Sequence, residues 1–218
     1  VLNKIKFFLV NLKHLHLLGS NENKEVSYIF ISNPVHLQRL KNNKKFDKII
    51  DPLISLLDPQ IGYEKFYVSS FQFYNKLCVA GKILFPFIQK KIKLSSFLEK
   101  EVVNIAQRTD VEPSSLLSEF RNALVIYYKW NVYGNRLFAM RPNLKRLFLV
   151  GWYSPSIMGL ISAARNRGIS CIDFQHGKQG RYQAMYNGWN ESRINIGYNQ
   201  MPDYFWVWGK PTRQHILD

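Results

Sequence analysis

The sequence predicts an α/β domain with a mostly parallel sheet and helices on both faces, and three stretches carry that reading. Residues 145–150, 156–167 and 169–174 read as strand, helix and strand joined by short loops. A unit of that form closes as a right-handed parallel crossover. Residues 26–31 are β-branched and aromatic and end at Ser32-Asn33-Pro34, the form of a buried strand leaving a sheet through a loop. Residues 204–209 repeat that form, and residues 210–217 begin the helix after it.

Composition supports a packed domain. Of 218 residues, 46% are hydrophobic, enough for a substantial core, and only 21% are charged, which excludes a disordered chain. Thirty Lys and Arg stand against fifteen Asp and Glu, a net charge of +15. The excess favours an anionic partner: nucleic acid, an anionic membrane face or a phosphorylated small molecule. The basic residues are spread along the chain, and no nucleic-acid motif is present, so a basic module binding nucleic acid or anionic glycan is only an alternative. Cys78 and Cys171 lie far apart among apolar neighbours, which reads as buried thiols in a reducing compartment. His14, His16, His36 and His215 show no ligand-type clustering, so no metal site is expected.

Taken in order, residues 1–18 place Ile5, Phe8, Leu12 and Leu15 on one helical stripe. Residues 1–24 therefore read as an amphipathic helix and loop ahead of a domain over 25–218. No stretch reaches the roughly 18–20 apolar residues of a spanning helix, and a cytoplasmic protein is expected. The basic first helix leaves peripheral contact with an anionic inner membrane face open. After the first strand, Ser32 and Asn33 read as helix caps, with ligand contact as the alternative, ahead of a helix over 36–40, and there is no G-x-G-x-x-G fingerprint. A helix is expected over 46–57 with Pro52 in its first turn, then a strand over 64–70. Residues 76–107 read as largely helical, interrupted at Pro86. Glu112-Pro113 opens a helix to about Met140, with Leu116, Leu117, Phe120, Leu124 and Tyr127 on one stripe. Gly168 closes the helix over 156–167 in the C-cap manner.

Parallel sheets bind ligands at the carboxyl ends of their strands. The loops over 151–155 and 175–180 share that edge, and the second holds Gln175-His176-Gly177. These three residues, Tyr182 or Tyr186 after them, and the run from Pro202-Asp203-Tyr204 through Trp208-Gly209 resemble the N-terminal half of GT-B-fold glycosyltransferases of bacterial capsule and lipopolysaccharide biosynthesis. The resemblance covers residues 145–217. It implies a Rossmann-like acceptor-side domain, with the C-terminal nucleotide-sugar domain absent from the chain and needed as partner. It also implies a nucleotide-sugar donor, a saccharide or lipid-linked saccharide acceptor, and no tightly bound cofactor. Teichoic-acid-type glycerophosphotransferases resemble the same pattern.

On that reading His176 is the general base or a hydrogen-bond donor to phosphate or acceptor. Gln175 either binds a sugar hydroxyl or ties the loop down, and Gly177 supplies a permissive backbone. Lys178 and Arg181 meet an anionic substrate or form ordinary solvated surface. Ser154 and Ser156 offer hydroxyls beside the N–H groups of a helix start, although N-capping alone accounts for one of them. Tyr182, Tyr186 and Trp189 form either a sugar-stacking wall or the loop's apolar anchor. Asp173 is expected to cap a helix or join an ion pair.

Overall fold

The computed structural model describes residues 25–40, 45–68, 93–177, 185–186 and 200–217. The expected helix over 1–18, Cys78 and the Pro86 interruption lie outside the described residues. Strand β1 (Val26–Ser32) is followed by a 3-10 turn, Pro34–His36, and by a small antiparallel pair, β2 (Leu37–Arg39) and β3 (Lys45–Asp47). Helix α1 (Ile50–Ile54) leads to β4 (Gly62–Tyr67). Helices α2 (Ser96–Arg108) and α3 (Pro113–Ala139) precede β5 (Arg146–Leu149), α4 (Pro155–Arg165) and β6 (Ser170–Phe174). Strand β7 (Tyr204–Trp206) and α5 (Lys210–Leu217) end the order.

The main sheet runs β4-β1-β5-β6-β7 with every pairing parallel, and helices flank it, so the predicted Rossmann-like α/β class is the observed one. The path of the chain reverses between β1 and β5, and open parallel sheets bind ligands at such a switch point, outside the carboxyl ends of the strands.

Alternation along the strands splits the core in two. Ile29, Ile31, Leu147, Leu149 and Cys171 meet Tyr133, Leu137 and Phe138 of α3 and Leu160, Ile161 and Ala164 of α4. On the other face Phe30, Phe148, Ile172 and Phe174 pack with Ile50 of α1. An aromatic row crosses all five strands of this face. Tyr63–Phe30, Phe30–Phe148, Phe148–Phe174 and Phe174–Trp206 have ring centroids 6.1, 4.7, 5.5 and 5.4 Å apart.

Helix α3 starts on Pro113 behind Glu112, whose carboxylate accepts from Ser115 N at 2.7 Å. It runs in the same direction as α4: Gly159 abuts Tyr127 and Asn131, and Gly134 abuts Leu160 and Ala163. The α3 residues from Phe120 to Tyr127 lie beside Pro155 and Met158 in the first turn of α4, so this end of α3 stands at the carboxyl edge of the sheet. Arg121 Nη2, 2.7 Å from Glu99 Oε1, joins them to α2. Gly168 does cap α4, with φ +69° and Ile169 N bonded to Ala164 O at 3.0 Å.

Three local expectations are corrected. Residues 36–40 form no helix, because Asn33 makes a turn instead: its Oδ1 accepts Val35 N at 3.0 Å and its carbonyl accepts His36 N at 3.0 Å. Ser32 is the last residue of β1 rather than a cap. Phe46 belongs to β3, and the helix expected from there begins at Ile50. Asp47 Oδ1 accepts Ile49 N at 2.9 Å and Ile50 N at 3.0 Å to start it.

Arg141, just past α3, bonds both Glu64 carboxylate oxygens of β4, at 2.6 and 2.9 Å, and the Leu137 carbonyl at 3.0 Å. Both side chains are largely enclosed, so the fork carries more weight than a surface pair. Glu64→Gln is expected to cost about 2 kcal/mol in denaturant titration. A midpoint matching that of the parent chain would show the fork to be idle.

Candidate functional site

Loops leaving β1, β5 and β6 meet at the switch point. The β1 loop carries His36, the β5 loop carries Trp152, Tyr153 and Ser154, and the β6 loop carries Gln175 and His176. The His36 and His176 rings stand with centroids 5.8 Å apart and planes at 60°. Tyr153 Oη lies 3.4 Å from His176 Nε2. Gly151, at φ +81°, is where the β5 loop turns beneath this group, and a Cβ there would sit 3.7 Å from His176 Cε1. Glycine supplies the left-handed conformation that the turn requires.

Asp173 holds the arrangement from beneath. It is 1% exposed, its Oδ1 accepts from Gly151 N at 3.0 Å and Trp152 N at 3.1 Å, and its Oδ2 accepts from Tyr186 Oη at 2.9 Å. Asp173 is thus neither a helix cap nor half of an ion pair, as the sequence had suggested. It is the buried acceptor that ties the β6 strand to the β5 loop. Burial pushes its carboxyl up to about 7, against the opposing pull of the Tyr186, Gly151 and Trp152 hydrogen bonds.

Burial lowers the basicity of both imidazoles. At His36 the Asp47 carboxylate opposes that effect, while His176 and Lys48 add to it. At His176 the Phe174 carbonyl favours the protonated ring without making a hydrogen bond of normal geometry. Burial and the Asp173 charge raise the Tyr153 hydroxyl, so it keeps its proton at neutral pH. In the contact to His176, Tyr153 O–H donates to Nε2 if the ring's proton is on Nδ1 and accepts from Nε2–H if it is on Nε2. Among the described residues, the buried Nδ1 atoms of His36 and His176, Ser32 Oγ and Asp47 Oδ2 have no hydrogen-bond partner. Such orphaned atoms are uncommon and call for a cause.

The other expected site residues divide. Gln175 is 4% exposed, and its amide is engaged on both sides. Its Oε1 accepts Trp208 N at 2.7 Å, while Nε2 donates to the Gly177 carbonyl at 2.8 Å and Thr212 Oγ1 at 3.3 Å. It ties the β6 loop to the start of α5. At Gly177 φ is not left-handed, and among the described residues a Cβ would meet nothing within 4 Å, so those residues do not require glycine there. Ser154 is the N-cap of α4, accepting from Ile157 N at 3.4 Å, and its Oγ lies 3.1 Å from Ser156 Oγ. Tyr186 is buried, with its ring against Tyr153 and Phe205, which makes it an anchor rather than a stacking wall. Lys178, Arg181, Tyr182 and Trp189 lie outside the described residues. Cys171 is buried, and burial pushes its thiol up to about 12. Among the described residues no three His, Cys, Asp or Glu side chains group as a metal site.

His36 and Asp173 are the members that sequence reasoning missed. A signal existed for Asp173 alone: an acidic residue inside an apolar strand, beside a neighbouring loop that opens on glycine.

No family model matches the chain, and neither a curated protein nor a solved structure matches it.

Proposed function

We propose that the chain supplies the acceptor-side domain of a glycosyltransferase moving a sugar from a nucleotide-sugar to a growing bacterial surface glycan. One observation carries the reading: His176, its basicity lowered by burial and its Nε2 3.4 Å from Tyr153 Oη, stands at the switch point of a parallel sheet; with its proton on Nδ1, Nε2 offers a lone pair. Ligand sites of such sheets lie there, and a base of this kind suits removal of a hydroxyl proton near neutral pH.

In the proposed step an acceptor hydroxyl takes the place of the Tyr153 O–H at His176 Nε2. Its oxygen bonds to the anomeric carbon as its proton passes to Nε2. The bond from that carbon to the donor phosphate oxygen breaks, and the nucleotide leaves with the electron pair. A second domain would present the nucleotide-sugar, as the resemblance implies. The proposed setting is the cytoplasm, at the inner membrane face that a net charge of +15 suits; no helix among the described residues is long and apolar enough to cross a membrane.

The test is nucleotide release by the whole protein from a panel of nucleotide-sugars, with free and lipid-linked oligosaccharide acceptors. His176→Ala is expected to lower turnover about 10²-fold while the circular dichroism spectrum is retained. Unchanged turnover in the folded variant removes His176 from the chemistry. Turnover of CDP-glycerol in place of any nucleotide-sugar moves the reading to glycerophosphate transfer.

A further inference from the structure

Away from His176, the sheet face that carries the aromatic row is covered unevenly. Over β1 and β5, Ile50 of α1 packs with Phe30 and Phe148. Over β6 and β7 the face opens into a groove of about 420 Å³, lined by Arg146, Ser170, Ile172, Tyr204 and Trp206, a volume within the range of small-ligand sites. The pleat of β7 turns Phe205 to the far face, its ring 5.7 Å from that of Tyr186, and leaves Tyr204 and Trp206 on the groove side. Tyr204 is 63% and Trp206 55% exposed, on the last strand of the sheet. Trp208, two residues further on, is 63% exposed, and its N–H donates to Gln175 Oε1 in the β6 loop. Contiguous apolar surface left open to water in this way marks an interaction site.

The polar groups bordering these rings narrow the partner. Arg146 holds its guanidinium 6.0 Å from the Tyr28 ring centroid and joins no ion pair among the described residues. Ser170 adds a hydroxyl on the groove wall. A sugar ring fits this combination: its C–H face lies on an indole or phenol, and its hydroxyls and ring oxygen take the guanidinium and Ser170 as hydrogen-bond partners. A nucleic acid instead needs cations along its phosphates, and among the described residues Arg146 is the one cation lining the groove. We propose that this face of β7 binds a saccharide chain, holding the part of a glycan already built while its end reaches His176. The pairing of β6 with β7 sets the distances. Tyr204 lies opposite Ile172 and Trp206 opposite Phe174, so at about 3.3 Å per residue the row begins about 13 Å short of His176 along the strand. A chain of several sugars spans that length, and a disaccharide seated at His176 stops short of Tyr204. That the glycan is an acceptor rests on the sugar-transfer reading; the saccharide site itself rests on the groove.

The test applies the whole protein to a printed array of bacterial capsular and lipopolysaccharide oligosaccharides, followed by calorimetry on the saccharides that bind. Tyr204→Ala and Trp206→Ala are each expected to weaken binding about tenfold with the circular dichroism spectrum retained, and Trp206→Phe to restore most of it. In the transfer assay, Trp206→Ala is expected to raise KM for an octasaccharide acceptor about tenfold at unchanged kcat, and to leave a disaccharide acceptor unaffected. No saccharide bound by the folded protein, binding indifferent to both alanine substitutions, or an equal change in KM for the two acceptors would each overturn the proposal. So would salt-sensitive binding of single-stranded RNA in place of any saccharide, or a dimer that Trp206→Ala dissociates in place of saccharide binding. Saccharide binding without turnover of any nucleotide-sugar would leave the groove's role standing and remove the sugar-transfer reading. Turnover that ignores both acceptor length and Trp206 would do the reverse.

Discussion

An Asp173→Ala variant is expected to lose about 4 kcal/mol of folding stability, while Asp173→Asn loses much less. Alanine strips the acceptor from Gly151 N, Trp152 N and Tyr186 Oη in a site that is 1% exposed. A buried donor left without its acceptor costs about 1–3 kcal/mol. Asparagine keeps one oxygen for the two loop N–H groups and offers an N–H to Tyr186, whose hydroxyl can accept as well as donate. The pH profile gives a second readout. A free aspartate titrates near about 4, whereas the folded carboxyl titrates near about 7, so between these values the native state holds a proton that the unfolded chain has released. The stability this provides is complete below about pH 4 and is lost as pH rises through about 7. Denaturant titrations across that window are expected to show the parent chain weakening with rising pH relative to Asp173→Asn. Parallel profiles for the two proteins would mean that Asp173 is not the buried acid described.

The second large effect is expected at Gly159. A Cβ there would stand 2.3 Å from the Tyr127 carbonyl oxygen and 2.9 Å from Asn131 N, both in the α3 backbone. A helix backbone cannot step aside as a side chain does, so α3 and α4 would have to separate. Overpacking of this kind costs about 1–3 kcal/mol where side chains yield, and Gly159→Ala is expected to exceed that range. Gly134→Ala makes an internal control. Its nearest contacts are side-chain atoms, Ala163 Cβ at 2.8 Å and Leu160 Cδ2 at 3.0 Å, and its cost should stay within that range. Equal denaturation midpoints for the two variants would contradict the close approach at Gly159.

Much of the fold was legible where the signal is local. The crossover from β5 through α4 to β6 shows in the apolar spacing and in Gly168, and the 27-residue α3 shows in its single stripe and its Glu112-Pro113 start. The β1 turn was misread because Leu37 and Leu40 mimic a helical pattern over too few residues to separate helix from strand. What decides the matter is pairing with Lys45–Asp47, a segment too short and charged to show alternation. The site was half legible for the same reason. His176 and the β5 loop announce themselves as polar residues after strands, whereas His36 joins them only through the adjacency of β1 and β5, which no local pattern encodes. Gln175 and Ser154 stood where expected, with their polar atoms already engaged by neighbouring backbone.

The same adjacency has a kinetic consequence. Strands β5 and β6 and the helix between them are close in the chain and can assemble at small entropic cost, whereas β1 must find β5 across the long intervening segment. Closing a longer loop costs more, and non-local strand pairing is slow. The order of assembly expected from this has the α4 crossover formed early and β1 added late. His36 arrives with β1, so the two imidazoles meet only near the end of folding, and a partly assembled sheet would carry His176 without its counterpart.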